Sequence, residues 1–584
     1  MYSKCYLEAA KQFLLSHKLD ALLIPTEDPH LSEYPASHWK LREVISGFTG
    51  SNGFLVITRS LCGLWTDSRY FLQAEEQLKD TGIQLFKEGI DIDWQKWLEN
   101  VLSPNATIGL DGANFSCSSI IDIQSWADSN LFCVNTDCVL PIDMPALPAS
   151  KVFIHDTKYC GRSFKEKRDS IFQECDCDYI LLSALDEIAW VFNIRGNDID
   201  YNPVCIAYAV LGRYESYIAI DNQKLGDAVR EYFSANNIIV LFSYESIFES
   251  LPSICKKGKV GMDPKLTNYK LFTVIRNHKY ELIDSPITRL KSRKNKIELE
   301  SIRQAVKKDG VALVKGFFEI EKRIKNGVAT SELDVADILR GKRSEQELFF
   351  CESFATIAGY GPNGAIVHYS ATEKSSRTIG KESLLLVDSG ANYLDGTTDI
   401  TRVFCYGEPT IQQISDYTNV LKGHIAIARC RFPYGTEGAH IDALAHQYLW
   451  QEGVDYGHGT GHGIGFFLCV HEGPQRINRK FSGVKLEENM IISDEPGLYR
   501  TGSHGIRIEN MVTVKPYLEN EFGCFLEFET LTLFPYERKL INLSLLSKEE
   551  ISWINDYHKR VYQLLHSELD AEEDAWLKNV TEEL

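Results

Sequence analysis

The chain has 584 residues, of which 44% are hydrophobic and 24% charged, which is too long for a single domain; ordinary domain sizes suggest about three or four. Its formal net charge of −19 and isoelectric point near 5.3 disfavour non-specific binding to nucleic acid or anionic membranes, and say nothing against a cationic metal. No run of about 18 apolar residues is present, so no membrane span is expected.

The first twenty residues, MYSKCYLEAAKQFLLSHKLD, carry charge throughout and read as an amphipathic helix, not a signal peptide. A first region, residues 1–150, alternates helical patterns with apolar strands at Ala21–Ile24 and Gly53–Ile57 and leaves through a proline-rich stretch, Pro141–Pro148. A second, residues 151–286, repeats that grammar. It has strands at Tyr179–Leu182, Val204–Val210 and Tyr217–Ile220, and a helix containing Ala189–Phe192. SGFTGSNGFLVIT in the first and NIRGNDIDYNPVCIAYAVL in the second each read as a turn followed by a strand, which suggests two similar α/β units. Trp65, Tyr70, Trp190 and Phe192 are expected in cores. The fifteen cysteines are odd in number and scattered, as expected of reduced thiols in a cytoplasmic protein. Cys175 and Cys177 have no matching second pair and read as surface or strand thiols.

The third region, residues 287–584, opens with a basic stretch, Arg289–Lys296, and a long helix with Ile297, Ile302, Val306, Leu313, Phe317 and Ile320 at helical spacing. Leu384–Val387 reads as a buried strand ending at Asp388. A turn over Ser389–Thr397, with Gly390 and Gly396, and a second strand after Asp399 would form a hairpin aiming both carboxylates at one site. Asp395 reads as a turn former and Arg402 as a surface or ion-pair residue. YGHGTGHGIGFFLCVHEGP, residues 456–474, sets His458, His462 and His471 among glycines, which let backbone and ligand approach closely. MIISDEP is a further strand ending at Asp494-Glu495, with Asp494 expected to point away from Glu495. GIRIENMVTV alternates, so Arg507 and Glu509 would share a face opposite Ile506 and Ile508. Singly, each carboxylate has a bland reading as a cap, turn former or solvated side chain. Together, acidic groups at the ends of apolar strands are costly to bury without a cation. Four carboxylates, one imidazole and no thiolate suit two hard divalent ions, with manganese or cobalt favoured over structural zinc.

These segments resemble the pita-bread metallopeptidases of family M24 and, over nearly the whole chain, their three-domain X-prolyl aminopeptidases (aminopeptidase P). The stretches that carry the resemblance are GPNGAIVHYS (361–370), VDSGANYLDGTTDITR (387–402), GHGTGHGIG (457–465), VHEGP (470–474), SDEPG (493–497) and GIRIEN (505–510), with SGFTGSNG, WTDSRYFLQA and ALDEIAWVFNIRGNDIDYNPV further upstream. The resemblance implies an α/β (α+β) protein in which two creatinase-N-terminal-like α/β domains precede a pita-bread catalytic domain with a C-terminal helical extension. It implies Asp388, Asp399, His462, Glu495 and Glu509 as ligands of two divalent ions per subunit, Mn²⁺ foremost and Co²⁺ or Zn²⁺ as alternatives, with Asp399 and Glu509 bridging. His368, His458 and His471 match non-ligand active-site histidines. Arg507 and Tyr499 match groups that orient Asp388, and Arg42 is a candidate for substrate contact.

The implied reaction is hydrolysis of the first peptide bond of short peptides with proline in second position, by hydroxide held between the two ions, with Glu495 moving the proton. A cytoplasmic homodimer with no nucleic-acid or membrane partner is the accompanying expectation. The first two domains would narrow the site's entrance. The C-terminal helices, with Trp553 and Trp576, read as packing elements. Prolidases share the metal set, but usually with one preceding domain; methionine aminopeptidases are much shorter; pita-bread binding modules lack the ligands.

Overall fold

The computed structural model describes residues 4–584, which divide into two compact units: one reaches His155 and resumes over Arg162–Ile287, and the other comprises Asp156–Gly161 and Thr288–Leu584. The opening helix is Lys4–Ser16; the first three residues of the expected amphipathic segment lie outside the described residues. Among the described residues no helix is long and apolar enough to cross a membrane.

The first unit holds two six-stranded sheets. In the first, Ala21–Ile24 pairs antiparallel with Phe54–Thr58 and parallel with Thr107–Leu110. In the second, Tyr179–Leu182 pairs antiparallel with Ala207–Gly212 and parallel with Val260–Met262. Numbered within each sheet, both run 4-3-2-1-5-6. The repeated grammar of the sequence is therefore a repeated topology. The strand expected at Val204 begins at Ala207, because Asp198 takes the preceding amide, Ile206 N, at 2.7 Å. Trp65, Tyr70, Trp190 and Phe192 are all buried. Cys175 and Cys177 are buried as well, not surface thiols.

In the second unit the long helix runs Lys296–Lys325. A capping box starts it: Asn295 Oδ1 accepts from Ile297 N and Glu298 N, while Glu298 returns a carboxylate oxygen to Asn295 N. Lys322, Arg323 and Lys325 sit in its last turn, where the helix dipole favours cations. The periodic residues from Ile302 to Ile320 are buried, but Ile297 is exposed: Glu298 and Leu299 beside it are buried, and Ile297 shares the outer face with exposed Glu300 and Gln304.

The fully buried strand Leu385–Ser389 lies between Ile357–Tyr360 and Ile400–Phe404, antiparallel to both, with Asp388 opposite Thr401. The connection between Asp388 and Asp399 is more than a turn. Ala391–Tyr393 and Gly396–Thr397 pair with each other, and Ala391–Tyr393 also pairs with Phe349–Glu352, so this connection forms a small sheet of its own. Asp395 is held there by Lys308 Nζ at 2.7 Å. Ile491–Asp494 joins a four-stranded sheet with Asn510–Asn520. The alternating strand expected over 505–514 is broken. His504–Arg507 pairs with Gly497–Arg500, regular structure lapses at Ile508 and Glu509, and pairing resumes at Asn510. Helices Lys548–Leu565 and Ala571–Val580 follow, and Trp553 and Trp576 pack against the core of this unit.

Candidate metal centre

Asp388 sits inside the buried strand Leu385–Ser389, and Asp399 immediately before Ile400–Phe404. His462 is on the short strand Gly461–His462, Glu495 follows Ile491–Asp494, and Glu509 lies in the irregular step between two strands. Ligand atoms of Asp399, His462 and Glu509 all lie within 4.8 Å of one another. His462 Nε2 is 3.4 Å from Asp399 Oδ2 and 3.6 Å from Glu495 Oε1. Donors that share one ion at about 2.0–2.2 Å stand about 3–4 Å apart, so the spacing fits a metal. Asp388 Oδ1 is buried and has no hydrogen-bond partner, a second sign of a site built for a cation.

Hydrogen bonds fix which atom each side chain presents. His462 Nδ1 lies 2.9 Å from Gly463 O, which can only accept. The neutral ring therefore carries its hydrogen on Nδ1 and presents the Nε2 lone pair toward the carboxylates. Its backbone amide donates to Ser493 Oγ (2.9 Å), and that hydroxyl donates to Glu495 Oε1 (3.3 Å). Arg507 spreads over four partners: Nη2 to Asp388 Oδ2 at 2.6 Å, Nη1 to Tyr499 Oη at 2.7 Å and to Val367 O at 3.4 Å, and Nε to Thr401 Oγ1 at 3.2 Å. The Thr401 hydroxyl then donates to Glu509 Oε2 at 2.7 Å. Since Tyr499 accepts from Arg507, its own hydrogen points to His458 Nε2 at 2.8 Å, and His458 Nδ1 donates to Gly459 O. Arg507 and Tyr499 therefore lie behind Asp388, and His458 extends the chain.

Among the protein groups alone the electrostatics are strained. Burial, opposed by Arg507 but reinforced by Asp399 and Glu495, pushes Asp388 up to about 6. Burial and repulsion from Asp399, Asp388 and Glu495 push Glu509 well above the carboxylate range. Burial would lower His462, but Asp399 and Glu495 outweigh it and hold the imidazole up at about 9. Carboxylates this close retain protons unless cations replace them.

The His462 and His471 rings stand 4.4 Å apart, edge to face. His368 is partly buried in the loop after Gly361–Ala365. Asp494 turns toward His424, with Oδ2 3.1 Å from Nδ1. Arg42 is only 4% exposed in the first unit. Its Nη1 and Nη2 donate to Phe48 O and Gly50 O, and it lines a cavity of about 120 Å³ with Tyr34, Ser51 and Asp200.

Sequence reasoning missed three groups. Thr401, inside VDSGANYLDGTTDITR, links Arg507 to Glu509. Arg402 is buried and bonded to carbonyls rather than sitting at the surface or in an ion pair. Two lysines of the basic stretch, Lys291 and Lys294, are buried on Glu472, next to His471, at 3.0 and 2.6 Å. The pairing of VHEGP with that basic stretch was the available signal.

Comparison with known proteins fits this layout. Residues 7–136 and 143–298 each match a creatinase/prolidase N-terminal domain, 300–516 match metallopeptidase family M24, and 524–584 match the C-terminal region of peptidase M24. The chain is 39% identical to the probable Xaa-Pro aminopeptidase P of Laccaria bicolor, over 97% of this chain and 91% of that one. It is 36% identical to aminopeptidase P1 of Arabidopsis thaliana, over 99% and 98%. The X-prolyl aminopeptidase of Caenorhabditis elegans, described as a cytosolic enzyme with a di-nuclear active site, superposes with a TM-score of 0.93 at 32% identity, covering 97% of this chain and 95% of that one. An Xaa-Pro dipeptidase from Bacillus anthracis shares the fold at TM-score 0.50 and 22% identity, and nearly all of it (98%) matches just 64% of this chain. The architecture is thus two creatinase-type α/β domains and a pita-bread domain, and the chain belongs to the Xaa-Pro aminopeptidase P family of M24 metallopeptidases.

Proposed function

We propose that this protein is a dinuclear metal-dependent aminopeptidase that releases the N-terminal residue from peptides with proline in second position. The observation that carries the reading is the close grouping of Asp399, His462 and Glu509 in a chain similar from end to end to Xaa-Pro aminopeptidases. Asp388, Asp399, His462, Glu495 and Glu509 would hold the ions. The oxygen-rich donor set favours Mn²⁺, with Co²⁺ or Zn²⁺ as alternatives. Such a pair of ions supplies Lewis acidity toward the scissile carbonyl and acidifies the attacking water.

The side chains do the rest. The Glu495 side chain is 18% exposed, against 12% for Asp388 and 4% for Asp399. That makes it the carboxylate best reached by water and substrate, and we assign it to accept the water's proton and deliver it to the leaving nitrogen. The imide nitrogen before cleavage has no hydrogen, so departure depends on that delivery. His471 and His368 are assigned as donors to the developing oxyanion, and His458, Tyr499 and Arg507 hold Asp388. Arg42 remains a candidate substrate contact. The domain boundaries near residues 150 and 286, a homodimer and a cytoplasmic location complete the proposal, the last supported by the cytosolic description of the C. elegans protein.

The test is hydrolysis of Arg-Pro-Pro, Gly-Pro and Arg-Ala-Ala after chelation and after Mn²⁺ is restored. Arginine released from Arg-Pro-Pro alone, dependent on added metal, is the expected result. Cleavage of Gly-Pro alone would make the protein a prolidase, and no cleavage without bound metal would make it a binding module.

A further inference from the structure

Arg402 is a buried cation whose hydrogen bonds all go to uncharged oxygens. Nη1 donates to Glu509 O at 2.6 Å and Thr401 O at 2.9 Å; Nη2 donates to Phe534 O at 2.6 Å, Asn510 Oδ1 at 2.8 Å and Tyr557 Oη at 3.1 Å; Nε donates to Pro535 O at 3.0 Å. We propose that Arg402 is a positioning residue for Glu509, held in turn by Tyr557 of the C-terminal helix Lys548–Leu565. The inference rests on the reading of Glu509 as a metal ligand.

The backbone gives the reason. Strand pairing lapses at Ile508 and Glu509, so the Glu509 carbonyl is buried without a partner from a ladder, and such a group needs a donor. Arg402 supplies it. The same Nη1 reaches Thr401 O, which also accepts Glu509 N at 3.1 Å. The Thr401 hydroxyl meanwhile holds the Glu509 carboxylate. Arg402 therefore fixes the main chain on both sides of the step, and Thr401 fixes the side chain.

On the far side, Tyr557 Oη accepts from Arg402 and sits 3.0 Å from both Thr532 O and Phe534 O. The guanidinium lies over the Tyr536 ring at 4.7 Å. Tyr536 Oη accepts from Asn510 Nδ2 at 2.8 Å. A lysine has neither the planar fork nor the number of directed donors to reproduce this. The C-terminal helix thus belongs to the support of the metal centre as well as to the packing.

The test compares Arg402→Lys and Tyr557→Phe with the unaltered full chain, each stripped by chelation. Readouts are Mn²⁺ titration calorimetry, the Co²⁺ absorption spectrum, kcat and KM on Arg-Pro-Pro, and the thermal melt of the stripped protein. Arg402→Lys is expected to weaken Mn²⁺ binding by about 10–100-fold, the usual effect of losing support behind a metal ligand. It should also alter the Co²⁺ spectrum and lower kcat while KM holds. Tyr557→Phe should move each readout the same way by less, and decides the matter if Arg402→Lys does not fold. Wild-type metal affinity and Co²⁺ spectrum in the variants, even with a lowered melt, would mean a merely structural role and overturn the inference. An unaltered chain that binds no Mn²⁺ would overturn the metalloenzyme reading itself, and this inference with it.

Discussion

Glu472 carries two ammonium groups where water does not reach. The side chains of Lys291, Lys294 and Glu472 are 3%, 1% and 2% exposed, at 3.0 and 2.6 Å. Two cations share one anion, so the two ways of disturbing the cluster have different costs. Glu472→Gln removes the carboxylate on which both buried ammonium groups sit, and breaking a buried pair in this way costs about 3–5 kcal/mol. Lys294→Met leaves Lys291 and Glu472 as a balanced pair and puts an unbranched apolar chain in place of the surplus cation, a kind of exchange that is often neutral or stabilising. At about 2–4 °C per kcal/mol for a large domain, Glu472→Gln should melt about 6–20 °C below the unaltered protein. Lys294→Met should stay close to it. Circular dichroism melts on chelator-stripped protein make the comparison without metal linkage. The reasoning fails if Glu472→Gln melts with the unaltered protein, or if Lys294→Met is the less stable variant. The cluster also bears on the site, because Glu472 N donates to Gly463 O at 2.7 Å, tying the His471 loop to the residue after His462.

Other expectations follow from single groups. Arg507→Lys keeps a charge but cannot span Asp388, Tyr499 and Thr401; Mn²⁺ affinity by calorimetry should fall about 10–100-fold, and an unchanged value would refute the orienting role. Glu495→Gln should nearly abolish turnover of Arg-Pro-Pro, and a variant with full metal content and a near-normal rate would remove Glu495 from proton transfer. In the first unit, burial, with a smaller contribution from Lys224 and against the Ser183 carbonyl, pushes His30 down to about 4. The unfolded chain therefore binds the extra proton between about pH 6.5 and 4. Stability from this group is full above that window and is lost as pH falls through it, by about 3 kcal/mol. His30→Gln should flatten that part of a urea-unfolding pH series, and an unaltered slope would count against a neutral buried imidazole.

How much of this was legible in the sequence depended on whether a pattern was local. The strand at Tyr179–Leu182 was readable because a short apolar run between polar turns has one economical outcome, and the two α/β units because the same run of turn and strand occurs twice. The carboxylates were readable because each ends or follows an apolar strand. Glu509 shows where this stops. Alternation predicted an unbroken strand with Glu509 beside Arg507, yet the ladder lapses there, and the backbone is held by Arg402, more than a hundred residues earlier in the chain. Arg402 looked like a surface residue because a strand arginine usually is one; nothing near it in sequence supplies the carbonyls of Phe534 and Pro535 that make burial affordable. Lys291 and Lys294 read only as part of a basic stretch for the same reason, since their partner is Glu472. In each case the chemistry-bearing group was visible and its support was not. A ligand needs a residue type at a strand end, which sequence records directly, whereas its support needs a donor or counter-charge at a point in space that only the folded chain brings near.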